Sequence, residues 1–293
     1  MRGLLRPGLT VLAVFAACVL VGFGARLVLR ARLSSAAGRG DMTTVKLAFV
    51  VGVPPDARDS RGRLPLHEAV GRGQLQAAEA LLERGAALDA RDRSGHTPLS
   101  AAVAMHNTEA VRLLLEHGAD ATLTGSTLLL GACVWSDTEL PGLLLRHGAD
   151  PNACGPGGES PLHIAARQAG GELAALLLAH GANPNAVDES GMTPLHMAAA
   201  AGSCESAQVL LDRGAGVRVA DEPNLWTPLH QAAVRGYIDM ARLLLKRGAD
   251  PSARDREGRT PLDLASERGH TQVRDLLRSA YGRAPGKSGS RSH

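Results

Sequence analysis

Residues 191–216 read GMTPLHMAAAAGSCESAQVLLDRGAG, and two short helices with their punctuation can be taken from them directly. Thr193-Pro194 is a cap followed by a helix start. Proline in the first turn forfeits no hydrogen bond, and its φ is already helical. Ala198-Ala199 lets a neighbouring helix approach closely, and Leu210-Leu211 supplies the apolar stripe of a second helix. Gly214 then serves as a left-handed C-cap, where a Cβ would be penalised.

The same order recurs along the chain. The openings are Leu64-Pro65-Leu66-His67, Thr97-Pro98-Leu99-Ser100, Thr127-Leu128-Leu129-Leu130, Ser160-Pro161-Leu162-His163, Thr193-Pro194-Leu195-His196, Thr227-Pro228-Leu229-His230 and Thr260-Pro261-Leu262-Asp263. Their first residues are 33, 30, 33, 33, 34 and 33 apart. A second landmark keeps step: Gly85-Ala86, Gly118-Ala119, Gly148-Ala149, Gly181-Ala182, Gly214-Ala215 and Gly248-Ala249. Asp92-Arg93-Ser94-Gly95, Asp188-Glu189-Ser190-Gly191 and Asp255-Arg256-Glu257-Gly258 are turn chemistry for a projecting loop. A period of this length predicts an array in which each unit buries its face only against its neighbours.

With their Thr-Pro-Leu-His openings, Ala-Ala pairs, Leu runs and Gly-Ala-Asp turns, residues 31–281 resemble the ankyrin-repeat family. The resemblance implies an all-α solenoid of about seven to eight helix-turn-helix repeats with projecting loops. It also implies that the opening histidines tie loops of neighbouring repeats, and that partners bind on the side formed by loops and first helices.

Departures from the pattern carry their own expectations. The third repeat is three residues short before Thr127, lacks proline and histidine, and has Pro141 where its second helix begins, which marks a weak point or a bend. The sixth has an extra residue and no glycine in Asp221-Glu222-Pro223-Asn224-Leu225-Trp226, so its loop should project differently. Upstream, Gly52 lies 33 before Gly85, and Leu33-Ser34-Ser35-Ala36-Ala37 lies 33 before Leu66-His67-Glu68-Ala69-Val70. A degenerate first repeat is expected there.

Composition fits thin helical layers. Aromatics are 2% of 293 residues, so the core must be built from Leu, Val and Ala. The net charge of +3 hides a split. Residues 1–40 hold six Arg and no acid, and residues 282–293 hold Arg283, Lys287 and Arg291 and no acid, leaving 23 basic against 29 acidic residues between 41 and 281. That acidic middle argues against nucleic acid as a partner. The four cysteines show no CxxC and no metal-like spacing, which leans toward a reducing compartment.

The segment 1–30 is hydrophobic, with 18 uncharged residues from Gly8 to Ala25, and is expected to anchor the chain in a membrane. Two other readings use the same residues. One is a cleaved secretory or lipoprotein signal, with Arg2 and Arg6 ahead of it and Phe15-Ala16-Ala17-Cys18 within it. The other is a buried structural helix. Arg26, Arg30, Arg32 and Arg39 follow the span, which favours a single-pass protein with a cytosolic repeat domain. An exported, periplasmic product is the alternative. Residues 282–293, rich in Gly and Ser, form a basic tail expected to be disordered.

No catalytic residue, cofactor site or metal site is expected. The opening histidines His67, His163, His196 and His230 sit in successive repeats about 8–10 Å apart, too far to share an ion. His117, His147 and His180 precede the capping glycines, where a cation suits the helix dipole. No phosphate-cradling loop or nucleophile elbow appears, and no unassigned segment is long enough for a catalytic domain.

Two variable positions face the expected binding side. The residue before the opening Thr is Arg63, His96, Ser126, Glu159, Met192, Trp226 or Arg259. The second residue after the Ala-Ala pair is Arg72, Met105, Trp135, Gln168, Ala201, Arg235 or Arg268. Interface hot spots favour Trp, Tyr and Arg. The candidates for partner binding are therefore Arg63, His96, Met105, Trp135, Met192, Trp226 and Arg235, with repacking of the irregular repeats as the competing role for both tryptophans. The expected function is that of a non-enzymatic, monomeric scaffold binding another protein. An inhibitor or adaptor subunit of one enzyme or channel, and an exported cell-envelope protein, are the alternatives.

Overall fold

A computed structural model of the chain describes residues 24–59, 62–122 and 127–281. The chain divides into two compact units, the first ending at Thr124 and the second beginning at Gly125. The described residues of the first unit form three helical hairpins. They are α1 (24–39) with α2 (Met42–Val50), α3 (Pro65–Gly71) with α4 (Leu75–Glu83), and α5 (Pro98–Ala104) with α6 (Thr108–Glu116).

The described residues of the second unit form five hairpins. They are α7 (Thr127–Cys133) with α8 (Glu139–Arg146), α9 (Pro161–Arg167) with α10 (Glu172–Ala179), α11 (Pro194–Ala201) with α12 (Cys204–Asp212), α13 (Pro228–Arg235) with α14 (Ile238–Lys246), and α15 (Pro261–Glu267) with α16 (Thr271–Tyr281). No strand occurs among the described residues.

The hairpins begin where the sequence places them. Thr97, Thr193, Thr227, Thr260 and Ser160 are extended N-cap residues followed by proline, and each closes a capping box with the residue three further on. In the second unit the first helices α9, α11, α13 and α15 pack in chain order. Ala165, Ala166, Ala198, Ala199, Ala232 and Ala233 are buried between them. Leu162, Leu177, Leu195, Leu210 and Leu229 are also fully buried, each contributing about 1.5–3 kcal/mol by leaving water.

The first repeat is present, as its 33-residue offset predicts. Leu33, Ala36, Ala37, Val45 and Ala48 are fully buried, and Gly52 caps α2 with φ 77°. Ser34 takes the place of the opening histidine, its hydroxyl donating to the Arg63 carbonyl at 3.1 Å.

The expectation of a separate hydrophobic helix ahead of the repeats is modified. Residues 24–30 belong to α1, which runs unbroken through the boundary at 30 into the first repeat. No helix among the described residues is long and apolar enough to cross a membrane. The apolar residues before Gly24, and the tail 282–293, lie outside the described residues.

The third repeat is not a weak point in its packing. Leu128, Leu129, Ala132, Cys133, Leu140 and Leu144 are buried. Pro141 sits third in α8, within the first turn, where its missing N–H costs nothing. Asp137 caps the helix instead, its Oδ1 accepting from the N–H groups of Glu139 and Leu140 at 2.9 and 3.1 Å. Leu130 stands where other repeats carry histidine and packs against Gly155, where a Cβ would lie 2.9 Å from its Cδ1. A glycine-bearing loop thus closes onto an apolar side chain in place of a hydrogen bond.

In the sixth repeat the loop still closes, with Asp221 Oδ1 accepting from the N–H groups of Asn224 and Trp226. Leu225 adopts φ 59°, a left-handed conformation that falls to Gly95, Gly191 and Gly258 in the corresponding loops. That strain costs about 1–2 kcal/mol, of which glycine's own entropy would return part. Leu225→Gly is therefore expected to stabilise the chain by about 0.5–1 kcal/mol. A urea midpoint that fails to rise would show the loop to be unstrained.

Candidate functional site

The loop side of each unit is built on histidine, aspartate and backbone. In the second unit His163 Nδ1 accepts from the Ser160 N–H at 3.1 Å, and His196 and His230 accept in the same way from Thr193 and Thr227. An acceptor at Nδ1 requires the proton on Nε2. His163 then donates to the Met192 carbonyl at 3.0 Å, and His196 to the Trp226 carbonyl at 2.9 Å. In the first unit His67 Nε2 meets the His96 carbonyl at 2.9 Å. His163 and His196 thus each cap their own helix and hold the loop of the next repeat, whereas His67 makes only the loop contact and His230 only the cap. Desolvation by burial lowers the pKa of all four, which keeps them neutral.

Aspartate closes several of these loops from the other side. Asp92, Asp188 and Asp255 accept the N–H groups of His96, Met192 and Arg259 at 3.0, 2.9 and 2.7 Å. Burial pushes the Asp255 carboxyl up. The Arg259 N–H and guanidinium and the Trp226 indole N–H outweigh this and leave it below the ordinary value. In the second unit the loop tips are also joined by backbone, Glu189 to Gly157, Glu222 to Ser190 and Arg256 to Asn224. His96, Met192, Trp226 and Arg259, each just before an opening Thr, are therefore pinned through both N–H and carbonyl. Only their side chains are free to vary.

That scaffold sorts the candidate residues. In the first unit His96 and Met105 are exposed, Met105 at 64%. Arg63 is folded back onto the protein, paired with Asp59 at 3.1 Å and with Glu68. In the second unit Trp135 is 50% exposed at the end of α7, and Arg235 is exposed in the last turn of α13 with no ion pair among the described residues. Met192 and Trp226 are half-buried. Trp226 donates its indole N–H to Asp255 at 3.2 Å, so part of its surface serves the neighbouring loop. Gln168, from the same variable position as Trp135, bonds the Cys133 carbonyl at 2.6 Å and belongs to the framework.

The openings gave no sign of a further ladder on the loops after the second helices. Asp56 accepts from the Ala87 N–H and Asp89 from the Asp120 N–H in the first unit. Asn152 accepts from Asn183 and Asn185 from Gly216 in the second. The signal was an Asx residue recurring at the repeat period, at 56, 89, 152 and 185. His117 and His180 turn Nδ1 onto the Leu113 and Leu176 carbonyls at 2.8 and 3.0 Å, a helix-end role in keeping with their place before the capping glycine.

Among the described residues no group of three or more His, Cys, Asp or Glu could hold a metal ion. Cys133 is buried, its thiol pushed up to about 12 chiefly by desolvation. Comparison with known families finds ankyrin repeats over residues 33–125 and 129–221 with a three-copy description, and over 229–278 with a many-copy description. No curated protein matches the sequence.

Proposed function

The chain belongs to the ankyrin-repeat family, and on that premise we propose that it is a non-enzymatic scaffold that binds another protein through its loops and first-helix ends. One observation carries this reading. The backbone at His96, Met192 and Trp226 is fixed by a histidine on one side and an aspartate on the other, while variable side chains project from it. Such a surface is preorganised, so little entropy is lost when a partner docks. Met105, Trp135 and Arg235 are its leading contact residues. Trp226 divides its surface between partner and framework, and Arg63 contributes less because its charge is already satisfied.

A membrane tether at the N-terminal segment is part of the same proposal, supported by the 18 uncharged residues from Gly8 to Ala25 and the arginines that follow. Proximity labelling from a tag on the C-terminus of the full chain, in native cells, tests both parts. Cytosolic proteins near a membrane are expected, with at least one lost when Trp135 and Arg235 are replaced by alanine. Labelling that ignores the substitutions would refute the contact surface. Release of the chain by alkaline carbonate would refute the tether.

A further inference from the structure

The outer face of the first repeat departs from what an end repeat needs. Terminal repeats are kept soluble by a polar outer face, and α16 follows that rule with Gln272, Arg274, Asp275 and Arg278. The first repeat does the reverse. Val50 is 80% exposed at the end of α2, where the equivalent residues of later repeats are Glu83, Glu116, Arg146, Ala179, Asp212 and Lys246. Leu47 is exposed where its counterparts Leu113, Leu143, Leu176 and Leu243 are buried or half-buried.

Helix α1 extends the departure. First helices elsewhere begin at the position equivalent to Arg32, but α1 is already helical at Gly24, about two turns earlier. Leu27 and Val28 on this extension are 63% and 52% exposed. Arg26, Leu27 and Arg30 line a shallow recess with Pro54, from the loop that follows α2. The extension and the end of α2 therefore share one side of the repeat. Arg26 and Arg30 border the recess, Lys46 is exposed next to Leu47 on α2, and none of the three forms an ion pair among the described residues. No acid precedes Asp41.

We propose that this face, Leu27, Val28, Leu47 and Val50 bordered by Arg26, Arg30 and Lys46, docks the first repeat on the surface of an anionic lipid bilayer. Apolar side chains enter the headgroup boundary while the cations meet lipid phosphates, as in an interfacial amphipathic helix. Two observations select lipid as the occupant. A second copy meeting the same face would set these cations against their own equivalents, an arrangement that like charges oppose. The uncharged run also ends at Ala25, which already lies in α1, so a bilayer holding that run lies within about two helical turns of the face. The proposal rests on the tether, and adds that the first repeat itself lies on the membrane.

The test uses the full chain with Cys18, Cys154 and Cys204 replaced by serine, the buried Cys133 retained, and a nitrobenzoxadiazole label on Val50→Cys. Glu83→Cys, the equivalent position in the next repeat, is the reference. Both are reconstituted into phosphatidylcholine vesicles with and without phosphatidylglycerol, and shallow spin-labelled lipids serve as quenchers. Quenching at position 50 is expected to exceed that at position 83 by about threefold or more in the anionic vesicles. Arg26→Glu with Arg30→Glu is expected to abolish the excess while leaving the helical spectrum unchanged. Equal quenching at 50 and 83, with the chain still vesicle-bound, overturns the docking face and leaves the tether standing. A chain that does not associate with vesicles overturns both. Self-quenching between labels at position 50 in detergent would assign the face to a second copy and overturn the lipid assignment.

Discussion

Replacing Leu195 with alanine is expected to lower the stability of the chain by about 2–5 kcal/mol. Leu195 is fully buried in α11, which packs between α9 and α13. The residues buried on those helices include Ala165, Ala166, Ala232 and Ala233, which have no side chain long enough to move into the space left behind. With three Phe, two Tyr and two Trp in the whole chain, no large ring is at hand to reseal the layer either. The cavity term should therefore be kept almost whole. Val187→Ala, on an exposed side chain, is the control and should fall within about 0.5 kcal/mol of the parent. Urea denaturation of both variants decides it. A loss below about 1 kcal/mol at Leu195 would mean that the layers are not closely packed.

The buried histidines predict a loss of stability in mild acid. Burial lowers the folded-state pKa of His67, His163, His196 and His230 below the value of 6.5 expected when unfolded. Below that value the unfolded chain binds protons that the folded chain refuses, so stability is complete above about pH 6.5 and falls as the pH drops through and below it. Each histidine can contribute a slope of at most about 1.4 kcal/mol per pH unit. The lowered carboxylates, Asp255 among them, add their own loss only near and below 3.8, outside this window. The melting temperature should therefore drop markedly between pH 7.5 and 5. Replacing His163, His196 and His230 by glutamine should lower stability at neutral pH and flatten the slope. A melting temperature independent of pH over that range would show that burial does not lower the pKa of these histidines in the folded chain.

Much of this architecture could be read from the chain itself. The repeat period placed α3 to α16 through their Thr-Pro caps and Gly-Ala turns, and the offset of Gly52 from Gly85 found the first repeat despite its missing proline and histidine. Ser34 doing the work of histidine was not legible, because a serine in a helix carries no sign of the carbonyl it will meet. Neither was the role of Leu130, which depends on a loop approaching at Gly155. The candidate surface was legible by position but not by availability. Arg63 and Met105 occupy equally variable sites, yet the carboxylates of Asp59 and Glu68 engage only the first. The length of α1 was hidden too, since a run of Ala, Leu and Val reads alike as anchor, signal or helix extension.

Display of exposed side chains on a preformed framework is tested most directly by comparing affinity with stability in one variant. A partner identified by proximity labelling would be titrated with the purified full chain and with its Trp135→Ala, Arg235→Ala variant. The expected result is a Kd weakened by about 30-fold or more, the equivalent of one strong hot spot, with a melting curve that overlays the parent. An unchanged Kd, or a weakened one accompanied by early melting, would contradict it.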